Sequence, residues 1–434
     1  MTSTPPEAPA LEARMGVFRA LRHRNYRLFF AGQTVSLIGT WITRIATSWL
    51  VYRLTGSVLL LGLVGFCGQI PTLVLAPFAG VLVDRWNRHR ILVITQVLSM
   101  LQSFALAGLS FAGIITVRDV LLLQIAQGMI NAFDTPARQS FVVQMVEDRA
   151  DLPNAIALNS SMVNLSRVIG PSIGGVIIAA VGEAWCFFID GFSYIAVLAS
   201  LIAMRVVVKP PQPRTTKMHE ELIDGLRYVT RSPPIRSALL LLALVSTMGM
   251  PYSVLMPAIA RNTLHGDSHT LGFLMTASGV GALAGALYLA SRRTVLGLGK
   301  VIAIAACVFG TGLLLFAVSR NLVLSMLVLT IVGAGMMVTM ASTNTILQTI
   351  VEERLRGRVM AFYTMAFLGT TPIGSLIAGV VADRVGPTNT ILIGGVACIL
   401  GGTWFAIQLP KFRAFVRPIY IERGIIPSGA GTRD

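Results

Sequence analysis

Polar positions are so sparse along this chain that the apolar residues gather into long runs separated by short polar breaks. The first group of runs covers Leu28–Val51, Val58–Val83, Ile91–Gly113, Val120–Gln139, Ala155–Val181 and Trp185–Met204. A second group, beyond the longest polar stretch, covers Ser237–Ile259, Leu271–Ala290, Val301–Val318, Leu322–Leu347, Val359–Ala382 and Thr388–Ile407. Each has about the roughly 20 residues that a helix needs to cross a ~30 Å hydrocarbon layer. None alternates apolar with polar residues, so the runs read as helices and not as barrel strands. Because lipid offers no hydrogen bonds to the backbone, the pattern predicts an all-α integral membrane protein with about twelve transmembrane helices.

Three runs carry a polar face. At ~100° per residue, Gln33, Ser36, Thr40, Thr43, Arg44 and Thr47 share one side of the first. Gln124, Gln127, Asn131, Asp134 and Arg138 share one side of the fourth, and Ser160, Asn164 and Arg167 align on the fifth. Lipid penalises such faces, so they must meet water in a central cavity or hydrogen-bond to neighbouring helices. The second group has no charge deep in its runs, only scattered polarity at Thr339, Ser342, Tyr363 and Thr370. Pro251 and Pro257 predict a bent seventh helix.

Composition agrees: 54% of residues are hydrophobic and 12% charged, where a soluble domain is about a quarter charged. The net charge of +16 would suit a nucleic-acid partner, but its placement excludes one. Of 35 Lys and Arg, only Arg53, Arg118, Arg261, Arg320 and Arg384 fall in odd-numbered loops, and with Arg138 assigned to the fourth loop only Arg44 and Arg167 lie within runs. By the positive-inside rule both termini are cytoplasmic. The basic head is no cleavable leader, because the first run is too long and no small-residue cleavage site follows it. Cys67, Cys186, Cys307 and Cys398 all lie in apolar runs and imply no disulfides. His265 and His269 flank Asp267 in an outer loop, too few ligands for a metal site. No metal and no cofactor are expected.

The chain divides into a cytoplasmic head (1–27), a six-helix bundle (28–204), a basic linker (205–236), a second six-helix bundle (237–408) and a cytoplasmic tail (409–434). In the linker, Leu222, Ile223, Leu226 and Val229 predict a short amphipathic helix on the membrane surface. The halves repeat weakly. Val146-Glu147-Asp148-Arg149 returns as Val351-Glu352-Glu353-Arg354, Gly128 as Gly333, and Pro171-Ser172-Ile173-Gly174 as Pro372-Ile373-Gly374. Duplicated bundles with a substrate site between them, near mid-membrane, are a common plan of secondary transporters.

Gly80-Val81-Leu82-Val83-Asp84-Arg85, followed by Arg88 and Arg90, resembles the signature loop of the major facilitator superfamily, with Asn87 where a Gly is usual. The resemblance implies the fold of that superfamily. It also implies a gate in which Gly80, Asp84, Arg85, Arg88, Asp134 and Arg138 act, with Asp84, Arg88 and Asp134 in contact while the cytoplasmic side is shut. Gly170-Pro171-Ser172-Ile173-Gly174-Gly175 is similar to the antiporter signature, in which Pro171 would bend the helix and Gly174 and Gly175 would pack against the other half. Asn25-Tyr26-Arg27, Ser48-Trp49-Leu50, Asp134-Thr135-Pro136-Ala137-Arg138 and Ala155-Ile156-Ala157-Leu158-Asn159 look like the transmembrane secretion effector branch, to which the enterobactin exporter belongs. The Arg to which drug exporters owe proton coupling is Gln124 here.

These features imply a monomeric secondary transporter of the bacterial inner membrane, exporting a siderophore, drug or other metabolite by alternating access with protons as counter-ions. An uptake symporter on the same fold is the alternative. An intramembrane enzyme lacks support, because there is no metalloprotease or serine-hydrolase motif and every His lies outside the runs. The cavity residues would be Gln33, Thr40, Arg44, Gln124, Gln127, Asn131, Asn164, Arg167 and Asp190. Two deep cations against one deep anion favour an anionic or phenolic substrate. Counting ~1.5 Å of rise per residue puts Arg44 and Asp190 at similar depth, which predicts that they pair.

Overall fold

The computed structural model describes residues 16, 18–204, 226–292, 294–423 and 425–426; of the side chains of residues 77, 81 and 84 nothing is said. Its described residues form twelve helical rods. In chain order they are α1 (Arg24–Thr55), α2 (Val58–Arg85), α3 (Arg88–Phe111), α4 (Val117–Met145), α5 (Leu152–Val181) and α6 (Glu183–Ala203). Then follow α7 (Pro233–Thr263), α8 (Ser268–Ser291), α9 (Leu298–Val318), α10 (Leu322–Ile350), α11 (Glu353–Val385) and α12 (Pro387–Glu422). Ten are long and apolar enough to cross a membrane. The two outside that set, α1 and α4, are those whose apolar character is diluted by a full-length polar stripe.

The turns between rods are built from caps. Gly56, at φ 63°, reverses the chain after α1, and Ser57 accepts from the Leu60 amide to start α2. Thr116 and Asp119 form a reciprocal capping box at α4. Asn87 explains its departure from the usual glycine: it sits at φ −68°, where no glycine is needed, and accepts from the His89 and Arg90 amides as N-cap of α3. Asp267 caps α8 through His269 and Thr270, so its carboxylate serves the helix between the two histidines.

Two rods are broken. The seventh bends as expected, but through π-helical turns at Val245–Gly249 and Ile259–Thr263. The eleventh carries a π turn at Met365–Gly369, three residues before Pro372, whose ring nitrogen has no amide to offer the Leu368 carbonyl. The breaks at Val245–Gly249 and Met365–Gly369 face each other. Ser246 Oγ donates to the Phe367 carbonyl at 2.5 Å and lies 2.9 Å from Thr371 Oγ1. A wound-out turn leaves carbonyls without helical partners, and the serine satisfies one of them.

Both ends of the chain are less free than a head and tail suggest. Arg19 and His23 meet Asp151 at the start of α5, and Tyr26 donates to the Ala155 carbonyl at 2.7 Å. α12 runs on to Glu422, well past Ile407, burying Phe412, Val416 and Tyr420, and Arg423 donates to the Val351 carbonyl. In the linker, 205–225 lie outside the described residues, Leu222 and Ile223 among them; the helix is seen from residue 226, with Leu226 exposed and Val229 buried.

The segments before and after the linker meet chiefly where α2 packs on α11 and α5 on α8. Glycine permits both approaches. A Cβ on Gly62 would lie 2.8 Å from Gly379 Cα, and one on Gly175 would lie 3.0 Å from Gly272 Cα. Asn262 Nδ2 donates to Tyr52 Oη at 2.6 Å on the same face of the molecule. On the face bearing both described ends, the inner segment of α11 makes its main contacts with α7 and α10, and a Cβ on Gly80 would meet nothing within 4 Å. The molecule is closed at one face and open at the other. The close approach expected at Gly80 is therefore not made in this conformation.

If the glycine crossings close the far face, Gly379→Leu should hold it open. With the four native cysteines replaced, maleimide labelling of a cysteine at position 262 in the purified protein should speed up severalfold. An unchanged rate would contradict this role.

Candidate functional site

The polar stripes do not all face the cavity. On α1, Gln33, Ser36 and Thr47 are buried, and Thr40 donates to the Ser36 carbonyl at 3.0 Å. On α4, Gln127 Nε2 donates to Ser99 Oγ at 3.2 Å and to Asn131 Oδ1 at 3.1 Å. Asp134 accepts from Thr95 at 2.9 Å and Gln96 at 2.8 Å and stands 3.5 Å from Arg138. Gln124 packs against α2, where a Cβ on Gly68 would be 3.2 Å from its Oε1. Much of this polarity joins α1 and α4 to their own neighbours, which hides it from lipid as effectively as water would. In the second half, Thr339 and Ser342 are fully buried, and Tyr363 donates to the Met340 carbonyl.

The gate residues are only partly visible. Asp84 lies in the last turn of α2, with its side chain outside the described residues; Arg85 is exposed and Arg88 half-buried. The structure thus brings Asp134 and Arg138 together and does not describe the contact of Asp84 with Arg88 and Asp134.

The antiporter-like segment builds two different surfaces. Gly175 faces α8, as expected. Gly174 instead packs on α1, where its Cβ would be 3.3 Å from Ile42 Cα. Gly170 also receives α1: a Cβ there would collide with Trp41 Cβ and lie 3.1 Å from the Ile38 carbonyl oxygen. Pro171 has no amide to offer the Arg167 carbonyl, yet α5 continues through it. That freed carbonyl lies against α8, 3.0 Å from where a Cβ of Gly279 would stand. The adjoining Thr276 donates to the Val168 carbonyl at 3.3 Å and is 2.6 Å from Ser172.

The deep charges do not pair as expected. Asp190, nearly fully buried, accepts from Ser103 Oγ of α3 at 2.8 Å and from Ser193 at 3.4 Å. It faces α1 at Gly39, where a Cβ would be 2.7 Å from its Oδ1. Arg44 is five residues further along α1 and projects from a different side of it. Its guanidinium carbon lies 5.1 Å from the Trp41 ring centroid, and that of Arg167 lies 5.9 Å from the same centroid. Among the described residues no acidic side chain pairs with either arginine. Depth counting placed Arg44 and Asp190 level but could not see that α1 turns them apart. Asn164 is spent on the Ser160 carbonyl at 2.9 Å. Trp41, Ser103 and Tyr252, which interacts electrostatically with Arg167, were absent from the sequence-derived site; an indole three residues before Arg44 in a polar stripe was the available signal.

If Arg44 and Asp190 are independent, Arg44→Gln and Asp190→Asn should change thermal stability additively, to within about 0.5 kcal/mol. A coupling well above that, measured in the solubilised double variant, would restore the pair.

The comparisons agree with this architecture. The family model described as transmembrane secretion effector matches residues 15–418. A staphyloferrin A transporter of Staphylococcus aureus is 27% identical over 86% of this chain and 93% of its own length. The multidrug efflux pump Tap of Mycolicibacterium fortuitum is 27% identical over 89% and 95%, and an enterobactin exporter of Citrobacter koseri 24% identical over 93% and 96%. Among solved structures, the peptide transporter POT superposes with a TM-score of 0.72 at 14% identity, over 90% of this chain and 95% of that one. A bacterial homologue of the lysosomal transporter Spinster, inward-facing and unoccupied, gives 0.66 at 14% identity, over 92% and 98%. A twelve-rod membrane fold whose two halves meet closely at one face, matched by the family model over nearly its whole length, makes this chain a secondary transporter belonging to the transmembrane secretion effector family.

Proposed function

We propose that this transporter exports a small organic molecule from the bacterial cytoplasm in exchange for protons, acting as a monomer in the inner membrane with both termini cytoplasmic. The observation that carries the reading is the antiporter-like segment at Gly170–Gly175, which lies where α5 meets α8 at the closed face. Residues 28–204 and 237–408 act as two rocking bundles. With the termini cytoplasmic, the open cavity faces the cytoplasm and loads substrate there. Rocking then separates Gly62 from Gly379 and Gly175 from Gly272, while Asp84, Arg88 and Asp134 close the inner side.

Asp190 carries the coupling proton in this reading. It is an acid deep in a bundle without a cationic partner among the described residues, and the Ser103 and Ser193 hydroxyls that bond it can serve either protonation state. Relatives that carry siderophores or drugs support export of a metabolite or drug.

The test begins with the compound lost from the medium of a deletion strain. Everted vesicles should accumulate it when their lumen is acidic, and accumulation by right-side-out vesicles instead would establish the uptake symporter. Asp190→Asn should abolish pH-driven accumulation yet keep exchange of labelled for unlabelled substrate; a variant that still concentrates substrate moves the proton elsewhere. Asp84→Asn should cripple transport while insertion and binding survive.

A further inference from the structure

We infer that Arg44 and Arg167, joined across the face of Trp41, form the binding site for a substrate bearing two acidic oxygen groups, carboxylates or phenolates. The inference rests on the reading that the cavity beside α1, α5, α7 and α8 is the transport route.

Two guanidinium groups share one indole, at 5.1 and 5.9 Å from its centroid. An aromatic face attracts each cation but cannot neutralise either, so the pair repel one another and the site keeps its positive charge. The helices around it do not supply the missing counter-charge: α1, α5, α7 and α8 contain no Asp or Glu. The nearest deep acid, Asp190, is turned toward α3 and occupied by Ser103. Arg44 is nevertheless exposed and Arg167 half-buried, so their donors open onto the cavity and are not sealed in packing.

The position is also built, not accidental. Gly170 leaves the space that Trp41 fills, and Trp41 sets both guanidinium groups over one ring. From the second half comes Tyr252, whose hydroxyl is held 2.6 Å from Ser278 Oγ. A guanidinium presents a planar fork of donors that matches a carboxylate in bidentate fashion. Two such forks select a doubly acidic ligand over a singly acidic one and reject a lipophilic cation. The same aromatic-flanked pair accepts paired phenolate oxygens, and the two chemistries are separated by probe.

The experiment is equilibrium binding to the purified full chain in nanodiscs, by calorimetry. Benzene-1,3-dicarboxylate, a dianion at neutral pH, probes the carboxylate arm, and catechol, measured from neutral to alkaline pH, probes the phenolate arm; benzene-1,3-dicarboxamide is the uncharged isostere and tetraphenylphosphonium the cation. The dicarboxylate, or catechol more tightly as its hydroxyls ionise, should bind with affinity falling as salt rises, and the diamide and the cation should bind about tenfold more weakly or not at all. Arg44→Gln and Arg167→Gln should each weaken the dianion about tenfold, and Arg44→Lys, which keeps charge but not the fork, should fall between. Variants are read only where size-exclusion profiles match the parent; the lysine variant provides the reading if a glutamine variant misfolds. Equal binding of diamide and dianion, preference for the cation, or a double glutamine variant with unchanged affinity would overturn the site. Because no gradient is used, failure of proton coupling or of export direction leaves this result untouched, and export can hold while this site fails.

Discussion

A bilayer core cannot hydrogen-bond to a polar side chain, and the arrangement of the rods follows from that. An arginine left facing lipid near mid-membrane costs about 2.5–3.5 kcal/mol even on the lenient insertion scale. Helices with a polar stripe must therefore turn it toward protein or water. α1 and α4 carry full-length stripes, and their polar residues meet α3, α5 and α6 or the cavity. The uniformly apolar rods can then face the lipid, as the exposed Leu315, Val323 and Leu327 of α9 and α10 do.

α1 divides the polar work between two sides. Toward α3 and α6 it presents Gly39 to the buried Asp190; toward α5 it presents Trp41 and Arg44. An acid and two bases thus sit in the same bundle without neutralising one another. Were they paired, the charge at either site would be fixed by the other. Kept apart, each keeps its own partners: Asp190 the hydroxyls beside it and the arginines the Trp41 ring.

The contact between the two halves is built on small residues. At Gly62 with Gly379, and at Gly175 with Gly272, backbones touch, so contact is gained over a short distance and lost over a short distance. The π turns of α7 and α11 lie near that seam, stitched by Ser246. A helix that has already exchanged its regular ladder for a side-chain bond has less to lose on bending than an unbroken one.

The sequence by itself determined the elements: lipid solvation acts on each segment alone, so the runs from Leu28–Val51 to Thr388–Ile407 correspond to helices, with ends shifted by a few residues except at α12, which runs on to Glu422. The family was equally legible, because Gly80–Arg85 and Gly170–Gly175 are local patterns. Helix breaking had a local signal at both sites, since Pro251 follows one π turn and Pro372 the other; that the two breaks face each other through Ser246 is seen only in the structure. Counting rise per residue set Arg44 and Asp190 at similar depth, whereas Asp190 stands against Gly39, five residues before Arg44 on α1. Partner choice was not legible, because which neighbour a side chain meets depends on how each helix is rotated and which rods surround it. That rotation is set by contacts between residues far apart in the chain, such as Gly170 with Trp41 and Gly39 with Asp190, and only the tertiary structure decides it.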